Sequence, residues 1–130
     1  MLRDLRLATF LFAMLIFSPL AVAADCSSHR LGGSWRTYFL PSAGNWIACE
    51  LKIGRDGSVK VGSTCRGSRI AKASASGRFS ISNCVITGHI TAQNRRYVVK
   101  HASFNVDQSQ MTGVLGLSNG QFVEFTSVKQ

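Results

Sequence analysis

Four cysteines are the residues best placed to make or break covalent bonds. Cys26, Cys49, Cys65 and Cys84 are widely spaced along the chain. None of the gaps forms the paired Cys-x-x-Cys knuckle of a zinc site, so the even count points to two disulfides. The three histidines, His29, His89 and His101, are also far apart, and none has a second histidine two positions away to make a strand-borne metal pair. No metal or cofactor is expected. The acids are sparse beyond position 24: Asp25, Glu50, Asp56, Asp107 and Glu124. Asp56 and Asp107 sit in turn sequences, where a side chain that accepts from nearby backbone N–H groups is structural. Glu50 and Glu124 flank apolar strand positions and should face solvent. General acid–base catalysis needs two such groups converging in a cleft, and nothing in this spacing brings a pair together. The serines lack a Gly-x-Ser-x-Gly elbow. Gly32-Gly33 leads into a strand instead of a helix, so it is no phosphate loop. The chain reads as non-catalytic.

Charge is the remaining chemical feature. Fifteen Lys and Arg against six Asp and Glu give a net charge of +9. Arg66, Arg69, Lys72 and Arg78 follow one another with no acid between them, as do Arg95, Arg96 and Lys100. These seven are the candidate partner-binding residues. Such a surface attracts polyanions at modest salt, so the expected partner is an anionic envelope polymer or a protein. No motif for specific nucleic-acid recognition is present. The plainer reading is that the excess charge keeps a small exported domain soluble.

Positions 1–23 read as a cleaved signal peptide. Arg3 and Arg6 supply a basic start, Leu7–Phe17 an uncharged apolar run, and Ala21-Val22-Ala23 a small-residue exit. Cleavage fits after Ala23 or Ala24. Loss of 1–23 removes Arg3, Arg6 and Asp4, and so lowers the net charge by one, to +8. The remainder, 24–130, has the length of one domain. The expected location is periplasmic or secreted, where disulfides persist.

The elements that must carry these groups are strands. Phe79–Ile90 and Phe104–Leu115 fall in register at a constant shift: Phe79 with Phe104, Ile81 with Val106, Ile86 with Met111, Gly88 with Gly113, Ile90 with Leu115. Each copy is an alternating run, a polar break and a second alternating run, the pattern of an antiparallel hairpin. The first copy is expected to turn at Ser82-Asn83. Further strands are expected over Ser34–Leu40, Trp46–Ile53, Val59–Cys65, Tyr97–Val106 and Gln121–Val128. Arg66–Ser76 lacks periodicity and reads as a loop, with room for a helical turn over Ile70–Ala75. Eight strands in simple succession close most economically into an all-β, up-and-down antiparallel barrel; a β-sandwich is the alternative. Gly88, Gly113 and Gly116 lie inside strand patterns, where glycine marks bends. Across the Asp56-Gly57 turn the register pairs Ile53 with Val61, Leu51 with Ser63 and Cys49 with Cys65. That leaves Cys26–Cys84 to tie the N-terminal segment across the opposite end of the barrel.

Two aromatic features complete the reading. Trp35 is suited to plug one end, and Trp46, with Tyr38 and Phe39, to form a partly exposed patch at the other. Gly33-Ser34-Trp35, a Gly-x-Trp on the first strand of an eight-stranded meander, resembles the calycin group of lipocalins, avidins and small bacterial metalloprotease-inhibitor barrels. The inhibitor family looks most similar in size, in export and in a cysteine shortly after the first strand, here Cys49. The resemblance implies that Asp25–Leu31 would enter a protease cleft, although here Cys26 falls within that arm. The expected function is therefore binding without catalysis, to an anionic or protein partner through the basic loops. The alternatives are inhibition of an exported protease and carriage of a small ligand in the barrel.

Overall fold

The computed structural model describes residues 26–130. The leader at 1–23, its cleavage sites and Asp25 lie outside the described residues. A 3-10 turn, Ser28–Leu31, precedes eight strands: β1 (Gly33–Ser42), β2 (Asn45–Ile53), β3 (Thr64–Gly67), β4 (Ala73–Ser82), β5 (Val85–Ala92), β6 (Arg95–Phe104), β7 (Gln110–Gly116) and β8 (Phe122–Lys129). Each pairs antiparallel with the next, and β1 closes on β8 to complete the barrel.

Period-2 alternation explains which side of each strand faces in. On β1, Trp35, Thr37 and Phe39 are buried while Arg36, Tyr38 and Leu40 are exposed. On β2, Ile47, Cys49, Leu51 and Ile53 point inward. The two hairpins of the repeat send Phe79, Ile86, Ile90, Met111 and Leu115 into the same core. Two hydroxyls enter it as a matched pair, Thr37 Oγ1 and Ser127 Oγ at 2.7 Å, which removes the cost of burying either alone. Charged side chains such as Arg36, Lys52, Arg78 and Lys100 stand on the outer wall. The wall therefore has the opposite polarity to a membrane-spanning barrel, whose outside is apolar.

The structure corrects the middle of the chain. The strand expected over Val59–Cys65 is only Thr64–Gly67. Val59 instead makes an isolated bridge to Ile53, Val61 projects into solvent, and Lys60 N–H donates to Lys52 O. The extra residues bulge outward, and Ser63 fills the gap by accepting from Lys52 N–H at 2.8 Å. The bulge leaves the far register intact, so Cys49 still faces Cys65. The segment expected as a loop with a helical turn, Arg66–Ser76, is mostly strand: it ends β3 and begins β4.

Tight turns also shift by one. β4 and β5 turn at Asn83-Cys84, both with positive φ, and not at Ser82-Asn83. Gln93-Asn94 repeats this geometry between β5 and β6. Two residues at positive φ are the signature of the primed turn that suits strand twist. Gly57 has no alternative: its φ is +83°, and a Cβ there would collide with the Phe79 carbonyl.

Both expected disulfides are present, Cys26–Cys84 and Cys49–Cys65. The second is a buried cross-strand pair near the middle of β2, not at an end of the barrel. Cys26 is tied to the β4–β5 turn at the end that also carries the 3-10 turn. Disulfides imply an oxidising, non-cytoplasmic setting. Among the described residues no helix is long and apolar enough to cross a membrane.

Candidate functional site

The titratable groups do not assemble. Among the described residues no three His, Cys, Asp or Glu side chains converge. Asp56 accepts from the Ser58 hydroxyl and backbone N–H, and these bonds hold its carboxyl below the usual range. Asp107 does the same with Ser109. Both acids are thus occupied in turns. His89, half-buried, is held below its ordinary pKa by burial and then by the neighbouring Arg96 charge. The barrel interior has a residual void of about 10 Å³ between Leu51, Phe79, Val99, Met111 and Phe125, too little for more than a single water.

The surface is more informative. The β1–β2, β3–β4, β5–β6 and β7–β8 connections all emerge at one end, here termed the turn end. The N-terminal 3-10 turn and the other three connections are at the opposite end. Backbone bonding fixes the β3–β4 connection at the turn end. Ser68 N–H donates to Trp46 O, Trp46 N–H donates to Ser68 Oγ at 3.1 Å, and Gly67 N–H donates to Ile70 O. Ile70 is buried beneath the loop, so Arg69 and Lys72 are left on its outer side.

Three recesses meet around Trp46. One, of about 420 Å³, lies on the outer wall of β1–β3 between Arg36, Tyr38, Trp46, Arg66 and Lys72. Ala48 forms its floor: it pairs with Tyr38 on one side and Arg66 on the other, and its small side chain leaves the gap. Glu50 closes the far side and meets Arg36 at 3.4 Å. A second recess, of about 220 Å³, brings Arg69 and Arg95 to the barrel mouth. The third is an open groove of about 980 Å³ between the β1–β2 hairpin and β8, with Leu40, Phe122 and Glu124 along it.

Of the seven cations expected to bind a partner, Arg66, Arg69, Lys72 and Arg95 therefore gather at the turn end, with Arg96 next to them on β6. Arg78 and Lys100 stand apart. Arg78 pairs across β4–β5 with His89 and faces Asp56 at 4.0 Å, and Lys100 lies over Gly116. Sequence reasoning missed Arg36, Leu40 and Phe122. The period-2 pattern of β1 is a signal that could have placed Arg36, Tyr38 and Leu40 on one outer face. Phe122, as the first residue of β8, carries no such signal.

Known proteins share the fold with this chain. No family model matches the chain, and no curated protein matches it. Among solved structures it is similar to a de novo designed fluorescence-activating β-barrel, with a TM-score of 0.64 and 12% identity over 82% of this chain and 98% of that one. It is also similar to a redesigned β-barrel, mFAP1, bound to DFHBI, with a TM-score of 0.63 and 11% identity over 82% of this chain and 100% of that one. At such identity the likeness is one of fold: the closed eight-stranded barrel, in place of the sandwich alternative.

The turn end also holds a buried polar anomaly. Tyr97 is in edge contact with Phe39, ring centroids 5.0 Å apart. Its hydroxyl is buried and makes no hydrogen bond of good geometry; burial raises its pKa, and the nearby Arg95 guanidinium, which approaches the hydroxyl, opposes that rise. Removing an unsatisfied buried group is neutral or favourable. Tyr97→Phe is therefore expected to melt at the same temperature as the parent or higher. A clear drop in melting temperature would show that the hydroxyl is satisfied in solution.

Proposed function

We propose that this chain is an exported, non-catalytic binding domain that engages an anionic partner in the cell envelope or its surroundings through the cations of the turn end. One observation carries the reading. Segments 40–46, 66–73, 92–96 and 116–122, which form that end, contain Arg66, Arg69, Lys72, Arg95 and Arg96 and not one acid. The connections at the opposite end also carry cations, Arg55 and Lys60, but these are mixed with the acids Asp56 and Asp107. Glu50, which meets Arg36, and Glu124 lie on the adjoining wall, while the connections themselves form a cationic pole. Such a pole raises the local concentration of anions and speeds their association. The filled interior supports a surface site over carriage of a ligand within the barrel.

A soluble polyanion such as polyphosphate tests this. Binding should weaken steeply between low and physiological salt, as exposed charges separated by about 10 Å become screened. Replacing Arg66, Arg69 and Lys72 together by glutamine should weaken binding by tenfold or more, at about 1 kcal/mol per cation. Affinity that ignores ionic strength and this triple substitution overturns the proposal.

Inhibition of an exported protease by residues 25–31 has thinner support. Cys26 is tied to Cys84 and Leu31 is fully buried, which leaves His29 and Arg30 as the exposed side chains among the described residues of the arm. Assays of exported metalloproteases with added protein test it, and undiminished activity across the panel counts against it.

A further inference from the structure

We infer that the turn end docks on an anionic lipid surface, seating its exposed apolar side chains among the headgroups while its cations meet lipid phosphates. The inference rests on the cationic-pole reading above and names the partner. It starts from the distribution of exposed large apolar residues. Among the described residues eight are conspicuous, and they divide by end and by type. Tyr38 (48% exposed), Leu40 (66%), Trp46 (45%) and Phe122 (67%) all belong to the turn end and line its open groove. Val61, Val85, Val106 and Val128 are scattered near the opposite end and are all small.

A soluble polyanion accounts for the cations of the turn end but not for Leu40 and Phe122. Neither can hydrogen-bond, and leaving them in water forfeits the transfer free energy of a large apolar side chain. A bilayer interface accounts for both sets. Leucine and phenylalanine insert at the boundary of headgroups and acyl chains. Tryptophan and tyrosine, with an apolar body and a polar tip, favour the headgroup level. Lys and Arg near an anionic leaflet each contribute on the order of 1 kcal/mol. The apolar and cationic residues lie side by side at that end. Leu40 and Phe122 flank the groove beside the tips of the connections, and Trp46 is held by Ser68 next to the loop that presents Arg69 and Lys72. Arg95 adds a cation across the mouth. Two acids border the area: Glu50 faces Arg36, and Glu124 lies on β8 two positions beyond Phe122, where it sets a limit to insertion along the wall. The charged outer wall further along the barrel keeps the domain at the surface, so it docks without spanning.

The experiment uses the oxidised mature protein with vesicles of phosphatidylcholine alone and of phosphatidylcholine with phosphatidylglycerol, and with polyphosphate in parallel. Trp35 is buried at the far end, so a change in tryptophan emission reports on Trp46. The expected result is co-sedimentation with the anionic vesicles only, a blue shift of the emission, and quenching by lipids brominated near the headgroup. Leu40→Ser with Phe122→Ser should weaken vesicle binding at least about tenfold, and leave polyphosphate binding and the melting temperature unchanged. Arg69→Gln, Lys72→Gln and Arg95→Gln together should weaken it about 100-fold at low salt. Val85→Ser, at the opposite end, should change nothing. Polyphosphate binding without vesicle binding overturns the lipid inference and leaves the anionic-partner reading standing. Vesicle binding with no shift in Trp46 emission, or none lost in the Leu40/Phe122 variant, also overturns it. Absence of binding to either anion overturns both.

Discussion

Trp35→Ala is expected to destabilise the protein by about 3–5 kcal/mol, the range for deleting a large core aromatic. Trp35 is 1% exposed, and its indole Nε1–H donates to Leu31 O at 2.7 Å. That bond pins the 3-10 turn over one end of the barrel. The Phe104 ring lies 6.1 Å away, and Lys129 Nζ sits 5.5 Å from the indole centroid. Alanine would leave a cavity, an unsatisfied Leu31 carbonyl and an unsupported closure, all at once. A domain of this size has only about 5–15 kcal/mol of net stability, so the melting temperature should fall by about 12 °C or more. Trp35→Phe keeps most of the buried area and loses the hydrogen bond, a cost on the order of 1 kcal/mol plus its smaller volume. Thermal and urea unfolding measure both. An alanine variant that melts within a few degrees of the parent would show that the end plug is dispensable.

Loss of the disulfides is expected to have the other large effect. In the chain-entropy account, a cross-link stabilises more as the loop it closes grows. Cys49–Cys65 has a sequence separation of 16 and Cys26–Cys84 one of 58. The expected losses are about 3 kcal/mol for Cys49→Ala with Cys65→Ala, and about 4 kcal/mol for Cys26→Ala with Cys84→Ala. Together they approach the whole stability of the fold. The Cys26–Cys84 variant should also free the N-terminal segment from the β4–β5 turn, where Cys84 holds a positive φ. Urea unfolding of oxidised and fully reduced protein gives the comparison. A reduced protein with an unchanged unfolding midpoint would sink the expectation and remove the physical reason for tying this fold to an oxidising compartment.

Legibility follows hydrophobic contrast. On β1 and β2 the inward residues are large and the outward ones polar, and the face Ile47, Cys49, Leu51, Ile53 is readable in full from alternation. The first half of β4 is not. Its inward positions near the mouth are Ala75 and Gly77, whose side chains carry almost no hydropathic signal against Ser74 and Ser76. Gly77 is required there because a Cβ would strike the His89 carbonyl, with φ at +147°. A strand built from small residues looks like a loop. The β2–β3 connection misleads for the converse reason: Val59 and Val61 continue the alternation, but the chain bulges and Val61 ends in solvent.

The candidate surface is half visible in the sequence. Charge runs single out Arg66, Arg69, Lys72 and Arg95, and aromatic content singles out Trp46 with Tyr38. Their meeting is not visible. Arg36 and Arg66 are distant in the chain and come to one wall because Glu50 pairs with Arg36 and Ala48 with Arg66 across the same strand. Phe122 and Leu40 flank one groove because β8 closes on β1.

The sequence by itself determined the class of the molecule. Alternation, turn residues and cysteine count are local quantities, and they sufficed for an all-β barrel with the pairings Cys49–Cys65 and Cys26–Cys84. It also determined an excess of cations, since charge is a sum that needs no coordinates. Only the tertiary structure decided which acid-free connections gather that charge at one end and which apolar side chains remain in water beside it. Barrel closure joins the first strand to the last and sends alternate connections to the same end, so residues far apart in the chain become one surface. That non-local step separates a basic protein from a basic pole with an apolar tip.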